Sequence, residues 1–155
     1  RMKKVIFAAS SGGHLTEILK LEKLFNEYNY LLVTEKTDVT DELKDKYNMK
    51  FLKYGPCKNK LKYILTIVYN LFLTIKIVLK FRPDTIVSTG AQIGGFFCYV
   101  GKFFGAKVIY IETMAKIKEL SGTGNNVYKI ADKFYVQWEG LAKKLDKAEY
   151  IGRLI

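Results

Sequence analysis

Cysteine and histidine are scarce in this chain of 155 residues, and their scarcity excludes several kinds of site. The two cysteines, Cys57 and Cys98, lie far apart and belong to no motif. This excludes a disulfide framework and a zinc knuckle, and it fits a reducing cytosol. His14 is the single histidine, and no cluster of metal-ligating residues accompanies it in the sequence. We therefore expect neither a metal ion nor a bound cofactor.

Glycine-rich nucleotide motifs are also missing. The chain contains no G-x-G-x-x-G dinucleotide fingerprint and no G-x-x-x-x-G-K-[ST] phosphate loop. It also has no internal repeat and no signature of an RRM, KH or helix-turn-helix domain. Its formal net charge of +11 nevertheless points to an anionic partner. A membrane surface or a phosphorylated substrate fits better than a nucleic acid, because the basic residues cluster around an apolar stretch.

The remaining composition favours one domain over residues 1–155. Hydrophobic residues make up 49% of the chain, which excludes a disordered protein. The basic N-terminus runs directly into a strand pattern and leaves no room for a signal peptide. Apolar runs that alternate with helical patterns predict strands at Val5–Ala9, Tyr30–Thr34, Met49–Tyr54, Asp84–Ser88, Lys107–Ile111 and Lys133–Gln137. The alternation predicts an α/β, Rossmann-like fold with a doubly wound, mainly parallel sheet.

Small and polar residues follow several of these strands, where sheets of this kind bind ligands. The sequence SSGGH (residues 10–14) follows the first strand and precedes a helical pattern, which either serine could cap. It predicts either a phosphate cradle or a tight turn that binds nothing. Similar junctions lie at residues 88–92 and 112–113, and a fourth strand ends nearby. The candidate substrate contacts are Ser11, Gly12, Gly13, Thr89, Gly90, Gln92 and Gln137.

Two ionisable residues at these junctions are candidates for catalysis. His14 could contact a phosphate or act as an acid or base, since imidazole titrates near neutral pH, or it could be structural. Glu112 could be the general base that activates an acceptor hydroxyl. It could equally cap a helix or pair with a lysine. The SGTG sequence at residues 121–124 predicts either an anion-binding nest or an ordinary loop.

The segment from Lys50 to Arg82 contains no acidic residue. Its apolar centre, residues 63–79, falls slightly short of a bilayer span and predicts an amphipathic helix over about residues 61–82. Its narrow polar stripe comprises Lys62, Thr66, Asn70 and Thr74. The wide apolar surface needs a lipid or protein partner beside the sheet, or else complete burial in a core. We favour lipid contact, through Lys60, Lys62, Ile64, Ile67, Val68, Leu71, Phe72, Ile75 and Lys76.

Longer motifs resemble one family of glycosyltransferase subunits. The SSGGH sequence occurs together with PDTIVSTG (83–90), VIYIETMAKI (108–117) and ADKFYVQWEGL (131–141). These motifs resemble the accessory subunits whose eukaryotic member anchors the UDP-N-acetylglucosamine transferase of the dolichol pathway. Bacterial PssD/CpsF-type members of that family serve exopolysaccharide and capsule synthesis. The resemblance covers essentially the whole chain.

The resemblance implies the N-terminal half of a two-domain GT-B glycosyltransferase, made as a separate protein. Its partner would be a catalytic subunit, equivalent to the C-terminal half, that holds most of the UDP-sugar. This half would bind a polyprenyl-diphosphate-linked saccharide at the cytoplasmic face of the membrane, without a metal. It would have little or no activity alone. The alternative is a scaffold that recruits the catalytic subunit and contributes nothing to chemistry.

The family pattern also suggests roles for individual residues. Residues 12–14 would lie on a loop that faces the diphosphate, with Thr89 and Gly90 on a second such loop. Glu112 would lie near the acceptor, and Gln137 begins the Q-W signature of the family. The eukaryotic members have a separate N-terminal transmembrane helix that we do not find here. Membrane attachment would therefore depend on the segment at residues 61–82.

Overall fold

The computed structural model describes residues 1–55 and 58–155, so Cys57 lies outside the described residues. Within them, seven strands form one sheet in the order β3-β2-β1-β4-β5-β6-β7, and every neighbouring pair is parallel. The strands are β1 (Lys4–Ala9), β2 (Asn29–Lys36), β3 (Met49–Lys53), β4 (Thr85–Gly90), β5 (Lys107–Ile111), β6 (Lys133–Val136) and β7 (Ala148–Tyr150). The helices are α1 (Gly13–Leu19), α2 (Glu22–Phe25), α3 (Asp38–Asp41), α4 (Lys60–Phe81), α5 (Ala91–Phe103), α6 (Gly122–Tyr128) and α7 (Glu139–Ala142), with a 3-10 turn at Glu42–Asp45.

This arrangement confirms the predicted α/β fold. All six predicted strands are present, because each combines an apolar run with a turn or polar segment at its end. The seventh strand was not predicted, since β7 has only three residues and no apolar run. Pairing with β6 holds it in the sheet.

Two junctions that the sequence suggested as loops are helical. Helix α5 begins at Ala91, directly after β4, and α6 begins at Gly122. Close packing explains the glycines within α5: a Cβ at Gly94 would overlap the Ser88 hydroxyl on β4. Small residues here bring a helix onto the sheet, so they do not mark a loop.

Helices cover both faces of the sheet, but unequally. Helices α1 and α2 pack on one face, and α4 to α7 pack on the other. On the α1 side, the sheet is left partly open over β4, β5 and β6. A groove of about 480 Å³ lies there, lined by apolar side chains that include Val87, Ile109 and Tyr135. The described residues thus leave part of this apolar sheet surface uncovered.

Helix α4 turns the carboxyl-terminal part of its polar stripe, Asn70 and Thr74, inward and many apolar residues outward, while Lys62 of the stripe is exposed. Asn70 is buried and binds both backbone groups of Lys53 on edge strand β3, donating to the carbonyl at 2.8 Å and accepting from the N–H at 2.9 Å. Thr74 is buried one turn later. The helix ends at a left-handed Arg82 before Pro83. The face that carries the polar residues therefore anchors the helix to the sheet edge.

The opposite face of α4 is exposed, which excludes a helix enclosed in a core. Phe72 is 69% exposed and Leu61 68%. Of the nine residues predicted to meet lipid, only Ile67 and Ile75 are half-buried, while the other seven are exposed. The helix is long and apolar enough to cross a membrane, by length and composition.

Candidate functional site

The first two predicted loops lie side by side at the carboxyl edge of the sheet, because β1 and β4 are neighbours. Neither serine caps α1, as the sequence had suggested; the N-cap is Gly12, whose φ of 85° favours glycine. Ser10 instead joins the two loops. Its N–H donates to Gly90 O at 3.0 Å, and its hydroxyl accepts from Ile93 N, in the first turn of α5, at 3.2 Å.

His14, in the first turn of α1, lies half-buried against the end of β4. Its Nδ1 is 2.9 Å from the Thr89 carbonyl oxygen. Because a carbonyl oxygen only accepts, Nδ1 carries the hydrogen of this contact, and Nε2 is not engaged by it. The Thr89 hydroxyl donates to His14 O at 2.6 Å. This double contact fixes the orientation of the imidazole.

Thr89 and Gly90 are both buried in this arrangement, so neither residue presents a free group to a substrate. The Thr89 hydroxyl already binds His14, and a Cβ at Gly90 would overlap the Tyr110 hydroxyl. Gly90 also has a φ of 108°, which disfavours any other residue. Burial raises the pKa of Tyr110, so its hydroxyl stays protonated. These residues position His14, and their direct contact with a substrate stays a prediction.

The N-cap of α6 is Ser121, whose hydroxyl accepts from Gly124 N at 2.9 Å. Glu112 binds this serine and does not cap the helix itself. Its Oε2 accepts from Ser121 N at 2.9 Å, its Oε1 accepts from Thr113 N at 3.0 Å, and the Ser121 hydroxyl reaches both oxygens. A Cβ at Gly124 would overlap this carboxylate. The anion-binding nest suggested for residues 121–124 is therefore already filled by a side chain of the protein. Since Glu112 is completely buried, its role as a general base has no support in this geometry and stays a prediction.

Sequence reasoning missed Glu17, which is 2% exposed on α1. Its Oε1 accepts from Met114 N at 2.8 Å, Gln137 Nε2 at 3.0 Å and the Thr113 hydroxyl at 3.3 Å. Glu17 follows His14 by three residues and so shares its side of the helix. That spacing was the one available signal. The carboxylate joins α1 to the segments that follow β5 and β6.

Gln137 belongs to the same buried network, although it was predicted to contact substrate. Its Nε2 donates to Glu17 and to Glu112 O, both at 3.0 Å, and its Oε1 accepts from Leu154 N at 2.8 Å. The adjacent Trp138 donates to Met114 O at 2.7 Å. Both ends of the Gln137 amide thus bind the protein itself.

Ser11, Gly12, Gly13 and Gln92 retain accessible surface at the same edge. The Ser11 N–H donates to Oε2 of Glu35, which lies near the end of β2. Gln92 donates to the Tyr63 hydroxyl of α4 at 3.3 Å. The candidate site therefore adjoins the N-terminal end of α4. In the described parts of the chain, no group of three or more His, Cys, Asp or Glu residues could hold a metal ion.

Comparisons with known proteins agree with this architecture. A family model described as "Oligosaccharide biosynthesis protein Alg14 like" matches residues 5–154. The chain is 29% identical over 182 residues to the UDP-N-acetylglucosamine transferase subunit ALG14 of Debaryomyces hansenii, covering all of this chain and 78% of that protein. It is 22% identical over 178 residues to the subunit of the same name from Homo sapiens, covering 97% and 82%.

Solved structures show the same fold. Acinetobacter baumannii MurG superposes with a TM-score of 0.76 at 14% identity, over 96% of this chain and 45% of MurG. UDP-N-acetylglucosamine 2-epimerase from Rickettsia bellii gives a TM-score of 0.71 at 16% identity, over 99% and 46%. The chain thus spans less than half the length of these solved chains. Its fold is that of the N-terminal half of GT-B glycosyltransferases.

Proposed function

Because the chain belongs to the Alg14-like family of oligosaccharide biosynthesis proteins, we propose that it is the membrane-docking, acceptor-binding subunit of a heteromeric glycosyltransferase. The complex transfers a sugar from a UDP-sugar to a polyprenyl-diphosphate-linked saccharide. The relatives named as UDP-N-acetylglucosamine transferase subunits favour N-acetylglucosamine as the donated sugar. The product is a β-1,4-linked precursor of a capsule or exopolysaccharide, made at the cytoplasmic face of the membrane.

The exposed face of α4 is the observation that carries this proposal. At 1.5 Å per residue, 22 residues give a helix about 33 Å long, with apolar side chains outward along its length. Asn70 ties one face to β3, so we infer that the helix lies in the plane of the membrane surface beside its domain. Lys53, Lys76 and Lys80 are exposed on and beside the helix, where they can meet lipid phosphates.

The open sheet surface supports a protein partner. The groove over β4 to β6 leaves Ile109 and Tyr135 partly uncovered, and apolar surface of this size is usually covered by another element. A chain with the fold of half a two-domain enzyme requires the other half to complete its cleft. We infer that this half is the catalytic subunit and that it holds most of the UDP-sugar.

Reconstitution tests the proposal. The chain and its catalytic partner are purified and assayed for transfer from UDP-N-acetylglucosamine to a polyprenyl-diphosphate saccharide in vesicles. We expect neither protein alone to give more than about a hundredth of the rate of the pair. A partner that works equally well with and without this chain would overturn the proposal.

The burial of Glu112 favours a second candidate, a scaffold without a catalytic residue. A His14→Ala variant of the reconstituted pair separates the two, because the imidazole Nε2 is the group at this edge most able to exchange a proton. A rate within twofold of the original, with intact assembly, would support the scaffold. A loss of more than tenfold in kcat would support participation in catalysis.

A further inference from the structure

Three carboxylates are buried in this basic protein: Glu17, Glu35 and Glu112. All three lie at the carboxyl edge of the sheet, and none forms a salt bridge with a side chain in the described parts of the chain. A buried carboxylate without a cation needs several hydrogen-bond donors to offset its lost hydration. The number of donors therefore distinguishes a structural carboxylate from one that awaits a ligand.

Glu112 and Glu17 have their donors. Both oxygens of Glu112 accept hydrogen bonds, and three donors converge on Oε1 of Glu17. Oε2 of Glu17 has no partner, but it is sealed from solvent, so no ligand reaches it without a rearrangement. Neither residue offers an accessible acceptor.

Glu35 differs from both. It is 7% exposed, and within the described residues its side chain receives one hydrogen bond, from Ser11 N–H to Oε2. No described donor binds Oε1, and this atom is not among the polar atoms sealed from solvent. The backbone of Glu35 is held in place by the Thr40 hydroxyl, which donates to its carbonyl at 2.7 Å. A fixed, largely desolvated carboxylate thus keeps one oxygen available.

The position of Glu35 favours a saccharide as the group that donates a hydrogen bond to its free oxygen. Strand β2 lies between β1 and β3, so Glu35 lies between the SSGGH loop and Gly55 just beyond β3. Gly55 packs close to both Tyr63 and Gln92, at the end of α4 where its exposed apolar face begins. Hydroxyl groups are the hydrogen-bond donors that the proposed saccharide offers to such an oxygen.

We propose that Glu35 is a sugar-binding residue, whose Oε1 accepts hydrogen bonds from saccharide hydroxyls of the lipid-linked acceptor. This inference rests on the proposed function. The lipid tail would lie along α4, and the sugar would meet Glu35 under the Ser11 loop. Ser11 contributes its backbone N–H to hold the carboxylate, so its side chain is free to vary.

A Glu35→Gln variant tests the proposal, because glutamine keeps one oxygen for Ser11 N–H while its NH₂ group cannot accept from a hydroxyl. Binding to the full chain is measured by calorimetry with two probes: an N-acetylglucosaminyl diphosphate ester of a short isoprenol, and the same isoprenyl diphosphate without sugar. We expect Kd for the first probe to rise tenfold to a hundredfold and Kd for the second to change less than twofold. Glu42→Gln, an exposed carboxylate nearby, is the matched control.

The outcomes separate this inference from the function on which it rests. If the unmodified chain binds neither probe, the acceptor-binding function fails and the inference fails with it. If the unmodified chain binds both probes, but Glu35→Gln weakens the binding of both probes equally or of neither probe, the inference alone is wrong. If the variant loses affinity only for the catalytic subunit, Glu35 binds a cationic side chain of that partner and the sugar-binding role is overturned. Thermal melting of both variants shows whether the fold is retained.

Discussion

The carboxyl edge of the sheet and helix α4 place polar and apolar groups in opposite ways. At the edge, polar side chains such as Gln137 and Glu17 are buried and bind one another. On α4, apolar side chains such as Phe72 are exposed while Asn70 is buried. Residue polarity alone therefore does not identify which groups meet a ligand. The predictions below test this contrast, from the largest expected effect to the smallest.

Acidic substitutions on the outer face of α4 should abolish membrane docking. Leu65 and Phe72 are both exposed, and burial of each in lipid should contribute about 1.5–3 kcal/mol. We expect the double variant Leu65→Glu/Phe72→Glu to bind anionic vesicles more than 100-fold more weakly in a flotation assay.

The control changes two exposed apolar residues away from α4 to glutamate. Val39→Glu/Ile117→Glu alters the net charge equally and should leave flotation nearly unchanged. Equal losses in both double variants would show that net charge, and not the α4 surface, governs docking.

Alanine at Gly124 should destabilise the fold, because Glu112 occupies the space where the Cβ would lie. Overpacking of this kind and the loss of the Glu112 hydrogen bonds should lower the free energy of unfolding by about 3 kcal/mol, measured with urea. Gly122→Ala on the same helix has open space and should be neutral or stabilising. A stabilised Gly124→Ala variant would contradict the close packing of Glu112 against α6.

Leucine at Asn70 should also destabilise the protein, by about 2 kcal/mol, since it leaves both backbone groups of Lys53 without a partner. The matched control is Asn125→Leu, at an exposed helical position. Urea titrations of the two variants measure the difference. If Asn70→Leu is as stable as the unmodified chain, the inward polar face of α4 does not anchor it.

Acid should weaken the amino-terminal end of the sheet slightly through Asp84. The Lys4 N–H, together with Arg1 nearby, lowers the pKa of this carboxyl in the folded state. A lowered folded pKa gives stability that is present above the unfolded value and lost as pH falls towards the folded one. We expect Asp84→Asn to flatten the decline of Tm between about pH 4.5 and pH 3, with Asp146→Asn as the control. An unchanged slope would contradict this role.

Strand positions were predictable because apolar runs with polar ends have few alternatives in an α/β chain. The start of α5 was not, since Gly94 and Gly95 indicate a loop in sequence and close packing in the structure. The junctions at residues 10–14 and 88–92 were correctly placed at one edge. Their internal hydrogen bonds were not visible, because they join residues about 75 positions apart, such as His14 and Thr89.

The buried acids show the same limit. Glu17 and Glu35 lie in patterns typical of a helix surface and a strand end. Apart from the spacing of Glu17 from His14, no local signal distinguishes them from solvated residues. Only the folded chain brings Met114, Gln137 and Ser11 to them. The α4 surface was predictable for a complementary reason: a run so apolar cannot be covered by a chain of this size.

One experiment tests most directly whether this chain presents a membrane-bound acceptor to a catalytic partner. Transfer from UDP-N-acetylglucosamine by the reconstituted pair is measured with two acceptors, a short-chain soluble diphosphate saccharide and a long-chain one in vesicles. With Leu65→Glu/Phe72→Glu in place of the unmodified chain, we predict an unchanged rate on the soluble acceptor and at least a tenfold loss on the vesicle acceptor. If the double variant changes the rate by the same factor on both acceptors, or changes neither rate, the account is contradicted.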